Sequence, residues 1–494
     1  MRKVIEEQMN FGEVDISEIQ FDPRERDEIP KLLMGLQYIY CTPQIRKEVF
    51  IILKGIVPQR VNPDNGRRGM DLWKILVMGT IRLNCNWDYD KLLNIVNEHR
   101  TIRLMLGHGM GDEDYRYPLQ TLKDNVSLLT EEVLDEINQV VVKEGHEVKK
   151  KEDGLKGRCD STVVKTDVHY PTDINLLLDA IRKIVTLTSR LCIKHGIPGW
   201  RQYKKNILTC KKYYRKAQTI KKSNAKNTEK QKKQKKEIIK AHKKYIDIVK
   251  FFLARTEESL KQIPDSDFIS GIRILEIMKY MLDAYRQIDQ ITKRVLNGEK
   301  IPHREKVFSI FEEHTEWISK GKAGVPQELG LNVCIVEDQY GFILHHKVME
   351  KQSDKDIAVI MMADTKKRFE DLASCSFDKG FYSPENLNKL KKILTKVILP
   401  KKGKLSLEEK EREYDEEFVQ GKKNHSVIES AISAMKNHGL DRCLDHGIDG
   451  FKRYVALAVV ARNIQILGHH LQQKEFKKLK KRNNNKDSGK ARAA

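Results

Sequence analysis

No two of the eight cysteines are spaced as CxxC, so the chain offers neither a zinc ribbon nor a redox dithiol. Thiols scattered in this way fit a reducing cytoplasm. No run of 18 or more uncharged apolar residues occurs. The nearest, 454–467, is interrupted by Arg462, Asn463 and Gln465, so no membrane span is expected. The first twenty residues lack an apolar stretch, and no secretory signal is expected.

What is present is charge. Of 494 residues, 33% are charged and 39% hydrophobic, which describes a folded soluble protein with a heavily solvated surface. At roughly 100–200 residues per domain the length predicts two to four domains. The formal net charge is +22, and residues 201–250 supply most of it. That segment holds 17 Lys and 2 Arg against Glu229, Glu237 and Asp247. A concentrated positive field attracts polyanions, nucleic acid first among them, although a solvated basic helix without a partner has the same composition.

The hydrophobic pattern divides the chain. Residues 1–150 read as an N-terminal helical domain, with helical spacing over Met70–Leu83, Tyr89–Leu106 and Leu128–Val142. Short helices of this kind bind DNA as a helix-turn-helix or form a plain bundle. Residues 155–170 (LKGRCDSTVVKTDVHY) read as a strand, with Arg158, Asp160, Thr162 and Val164 on one face. A helix follows over Ile174–Cys192, with Asp173 as its expected N-cap. Residues 201–320 read as a lysine-rich insertion, a hairpin of two long antiparallel helices. Its apolar stripes run through Ile238, Ala241, Tyr245 and Phe252, and through Met278, Met281, Tyr285, Ile288, Ile291 and Val295. Both stripes are expected to be core. Tyr203, Tyr213, Tyr214 and Tyr245 lie among the lysines, where they either stack on bases or pack the hairpin.

Strands return at residues 331–348, a hairpin turning at Asp338–Gly341. Next come a helix Asp354–Arg368, a strand Leu372–Phe377, a helix Asn386–Leu394, a strand Lys396–Leu399, and helices Ser426–His438 and Gly450–Leu467. Residues 471–494 read as a disordered basic tail. The fold class is thus α/β: a core over 151–200 and 321–470, interrupted by the insertion.

Three carboxylates stand out by position. Asp160 lies in a strand, Asp378 just past the end of another, and Glu429 on a helix where His425 and Lys436 share its face. Three acids converging on one place need a cation. Hard oxygen ligands select Mg²⁺ or Mn²⁺, and two such ions about 3.5–4 Å apart suit in-line phosphoryl displacement. With 70 acidic residues in the chain, spacing alone does not single out this trio.

Local motifs add to the case. DSTVV at the strand, HYPTD before LLLDAIRKI, FDKGFYS, and IESAISAMKNHGL with a late ARNIQILG resemble the DDE transposases of bacterial insertion sequences, closest to the ISNCY-type branch. NGRRGMDLWKILVMGTIRLNCNWDYDKLLNIV resembles their N-terminal helical domain. HTEWISKGKAGVPQELGLNVCIVEDQYGFIL resembles their second and third core strands. The resemblance spans roughly 60–470. It implies an RNase H-like mixed sheet core in which Asp160, Asp378 and Glu429 bind metal, and Lys436 assists. It also implies DNA partners (terminal inverted repeats and target), at least a homodimer, and a site of action on bacterial cytoplasmic, nucleoid DNA. Related enzymes often carry Tyr, Arg and Lys at the positions of Lys422, His425 and Lys436; only the Lys is kept, with His425 standing where the Arg would be. A non-enzymatic DNA-binding protein and an RNase H-like nuclease with another substrate are the alternative readings.

Overall fold

The computed structural model describes residues 14–57, 69–109, 111–150, 154–220, 228–264, 267–319 and 327–492. The motif stretches 65–68 and 320–326 lie outside them. The chain forms two compact units, residues 1–167 with 316–494, and residues 168–315.

The first unit is built on a seven-stranded mixed sheet: β1 (Leu155–Thr166), β2 (Glu316–Ser319), β3 (Gln327–Glu337), β4 (Ile343–Met349), β5 (Leu372–Phe377), β6 (Lys396–Ile398) and β7 (Arg442–Cys443). β3 runs antiparallel to β1, β2 and β4. On its other edge β1 pairs parallel with β5, and β5 with β6. The central order β4–β3–β1–β5–β6, antiparallel on one side and parallel on the other, is that of an RNase H-like core. β1 sits in the middle, and Val163 and Val164, on opposite faces, are both buried. The β3–β4 hairpin is set by Asp338, whose Oδ1 accepts the backbone N–H groups of Tyr340 (2.8 Å) and Phe342 (2.9 Å).

The helical N-terminal region shares one hydrophobic core with this sheet and with the C-terminal helix. Helix Leu72–Asn84 is buried at every position except Lys74, so it is a core helix and not an exposed recognition helix. Helix Glu28–Cys41 crosses the C-terminal helix Gly447–Arg492 so closely that a Cβ on Gly468 would fall 1.7 Å from the Lys31 carbonyl oxygen. That C-terminal helix includes the lysine-rich residues from Lys474 onward, which composition alone marked as disordered. Asn463, the polar interruption in its apolar run, is fully buried. Its Oδ1 accepts from Ile343 N (2.9 Å), and its Nδ2 donates to Ile343 O (2.8 Å) and Asn138 Oδ1 (2.6 Å), satisfying the start of β4.

The second unit is all-helical: Asp173–Lys194, Tyr203–Thr219, Thr228–Leu260 and Phe268–Ile291 around their own core. It begins at Val168, so helix Asp173–Lys194 belongs here and not to the core span 151–200, and four helices replace the simple hairpin. Thr172 is that helix's N-cap, accepting from Asn175 N (3.3 Å), with Asp173 in the first turn. Tyr245 is fully buried, and Tyr214 packs against it edge-on at 6.1 Å, so these tyrosines are packing groups. The second unit falls between β1 and β2 in the sequence.

Candidate active site

The site starts from strand register. Cys159 of β1 and Phe377 of β5 form the last pair of a parallel ladder. Asp160 follows the first and Asp378 the second. Beyond this point β1 is paired on that edge only at Lys165 and Thr166, with β7. The edge between opens beside Asp160.

Glu429 lies in the first turn of helix Val427–Met435, where a carboxylate is favoured by the helix dipole. The helix expected over Ser426–His438 is divided in the structure. Glu416–His425 ends at His425, Val427–Met435 follows, and a π turn covers Lys436–Leu440. Lys436 lies seven residues past Glu429, two turns on, at the end of the second helix.

A fourth carboxylate joins them. Asp354 opens helix Asp354–Arg368, and its Oδ1 accepts a 2.6 Å hydrogen bond from the Ser161 hydroxyl, next to Asp160. Gly380 makes room for the chain after Asp378: a Cβ there would come within 2.9 Å of Asp354 Oδ2. Sequence reasoning passed over Asp354 because an acid opening a helix reads as a favourable first-turn charge.

Three further carboxylates act on Asp160. Burial pushes the Asp160 carboxyl up to about 6, and the Asp378, Asp354 and Glu429 carboxylates push it the same way. A 2.7 Å hydrogen bond from Ser161 N–H to Asp160 Oδ1 works in the opposite direction. Burial holds the His425 imidazole below its usual range, aided by Arg158 and opposed by Asp378 and Glu429. Its Nδ1 is hydrogen-bonded to Ser376 Oγ at 3.1 Å. His425 thus lies beside two of the acids in surroundings that disfavour its charged form. Arg158 is engaged by Glu337, at 2.8 Å, and by the Asp338 carbonyl.

This donor set is all oxygen and mutually repulsive, which fits hard divalent cations. Two ions about 4 Å apart with ligands at about 2 Å accept carboxylates up to about 8 Å from each other. Such a site is looser than a single-ion cage. Among the described residues, the set whose ligand atoms all lie within 4.8 Å of one another is elsewhere: Asp135, His345 and His346. There Arg368 already supplies a cation. Its Nη2 donates to Asp135 Oδ2 at 2.6 Å and its Nη1 lies 2.7 Å from His345 Nδ1. A guanidinium cannot give up its charge, so this cluster is an ion-pair network joining helix Glu131–Lys149 to β4.

Residues 297–464 match the family model for the transposase DDE domain. This segment is a DDE transposase domain. Domains of this family are metal-dependent polynucleotidyl transferases that use divalent metals and act on DNA. The transposase domain contains Asp354, Asp378, His425, Glu429 and Lys436, whereas Asp160 precedes the matched stretch and is joined to it through the sheet. No match was found among curated proteins or solved structures. Among the described residues no helix is long and apolar enough to cross a membrane.

Proposed function

We propose that this chain is the transposase of a bacterial insertion sequence, which binds terminal inverted repeats in nucleoid DNA, cleaves at them and joins the freed 3′ ends to target DNA. The observation that carries the reading is the convergence of Asp378, Asp354 and Glu429 on a half-buried Asp160 inside a transposase fold. Asp160, Asp378 and Glu429 would hold two Mg²⁺ or Mn²⁺ ions. When bound, these ions offset the carboxylate repulsion and polarise the phosphodiester.

The chain's own residues do the rest. Ser161 orients Asp160 through its N–H and Asp354 through its hydroxyl. His425, seated on Ser376, hydrogen-bonds a phosphate oxygen, and Lys436 adds positive charge where negative charge develops. The exposed lysines of helix Thr228–Leu260 and the N-terminal helical region make phosphate contacts that position the DNA. Homodimerisation pairs the two ends.

The test is a nicking assay with purified protein, Mg²⁺ and DNA carrying the element's ends. Wild type is expected to cut at the ends, and Asp378→Ala to lose cleavage at an unchanged melting temperature. Undiminished cleavage by that variant would overturn the site. Cleavage indifferent to the end sequence would make the protein a nuclease with another substrate, and metal-independent binding without cleavage would make it a DNA-binding protein.

A further inference from the structure

Helix Phe268–Ile291 of the second unit carries two apolar stripes where a surface helix ordinarily has one. The inner stripe, Ile277, Met281, Ala284, Ile288 and Ile291, is buried in that unit's core. The outer one, Phe268, Ile272, Leu275, Met278, Leu282 and Tyr285, faces out. Phe268 is 80% exposed, and Leu275 and Leu282 are each 68% exposed. Met278 and Tyr285 therefore leave the core that the sequence pattern assigned to them.

The outer stripe is close to palindromic in its spacing. Phe268 with Tyr285 and Leu275 with Met278 are centred on the same point, between Glu276 and Ile277, and Ile272 with Leu282 is centred half a residue away, on Ile277. An antiparallel partner with the same sequence would meet each layer with its mate, which is the requirement of a two-fold contact. The charges agree. Asp267 and Arg286, of opposite sign, share that centre, and Glu276 and Lys279 share it within one residue. In one chain Asp267 is held by Lys194 and Arg286 by Asp283, so these exposed ions set register more than strength.

The charges on this helix alternate, Arg273, Glu276, Lys279, Asp283, Arg286 and Asp289. The stripe therefore lacks the basic rim that a phosphate backbone or an anionic membrane surface requires. Side chains of this size lose on the order of 100 Å² each when covered. Six of them from each copy reach roughly 1,200 Å² in total, where stable interfaces begin.

We propose that this face is the contact between two copies of the chain, paired antiparallel through Phe268–Tyr285. The pairing does not depend on cleavage, so a failed nicking assay leaves it standing. The experiment is sedimentation of the full-length protein without DNA. Wild type is expected to be a dimer at micromolar concentration, and Leu275→Glu with Leu282→Glu a monomer, with association weakened on the order of 100-fold or more. Both positions are exposed, so the monomeric variant should keep the helical circular dichroism of the folded chain. A second variant guards against misfolding. In a Cys41→Ser background, Leu275→Cys lies on the stripe beside the centre of the pairing and is expected to crosslink to its own copy under oxidation, giving a dimer band that the background chain lacks. A wild type monomeric at all concentrations, or a dimer that survives the double substitution and gives no crosslink, would overturn the proposal.

Discussion

Cys159 and Phe377 close the parallel ladder between β1 and β5 as its last paired residues. The next residue of each strand is an acid, so backbone register, not side-chain reach, brings Asp160 and Asp378 together. A slip of one residue would turn Asp160 to the other face of the sheet. The site is therefore as rigid as the middle of the sheet.

Asp354→Asn tests the fourth carboxylate. The variant keeps the Ser161 hydrogen bond but loses a negative charge that raises Asp160. Cleavage should fall about 10–100-fold, the usual cost of disturbing a group that orients metal ligands. The acidic limb of the pH–rate profile should also move to lower pH, because Asp160 then ionises more easily. An unmoved limb would show that Asp354 does not act on Asp160.

His346 makes stability depend on pH. It is buried, with neither ring nitrogen hydrogen-bonded. Burial lowers its pKa to about 4, with His345 and Arg368 acting in the same direction and Asp135 against them. A depressed folded-state pKa means stability that is complete above the unfolded value of about 6.5 and is lost as pH falls through about 4, up to about 3 kcal/mol. His346→Leu should flatten that slope in urea titrations. At pH 7 it should also stabilise the fold by about 1–3 kcal/mol, by removing an unmet polar group. A destabilised variant with the same pH slope would contradict this.

Much of the catalytic core was legible in the sequence. Helix Asp354–Arg368 and strand Leu372–Phe377 have the bounds that patterning gave them, because each holds a short apolar block bounded by charged residues. Helices Leu407–Tyr414 and Glu416–His425 were not read, since charge at most positions leaves them almost no apolar stripe. Which core a helix joins is a tertiary property. Asp173–Lys194 continues the β1 segment in sequence, yet packs with the lysine-rich helices. Of the candidate residues, Asp378 and Glu429 act electrostatically on both Asp160 and His425. Asp354 needed the Ser161 contact to be seen.

Gly468→Ala and Gly271→Ala should have opposite effects. A methyl group at Gly468 meets backbone that cannot retreat, and should cost at least about 1–3 kcal/mol. At Gly271 nothing lies within 4 Å of the added carbon. Alanine in that helix should stabilise by about 0.5–1 kcal/mol. Denaturant midpoints of the two variants decide the matter, and equal shifts would refute the close helix crossing.

Lys232, Lys233, Lys235 and Lys236 are exposed on helix Thr228–Leu260. Replacing all four with Gln should weaken DNA binding for every sequence alike. It should also make the plot of log affinity against log salt shallower by about 0.9 for each phosphate left without its lysine. An unchanged slope would remove these lysines from the DNA interface.

The placement of the second unit between β1 and β2 also sets an order of events during synthesis. β1, carrying Asp160, leaves the ribosome first and must wait for all of residues 168–315 before β3 can pair with it. Glu429 comes later still, and the C-terminal helix that completes the shared core comes last. At about 5–20 residues per second this interval is on the order of tens of seconds. Throughout it the nascent chain carries one acid of the set without the others, so a half-made chain holds no complete acidic site.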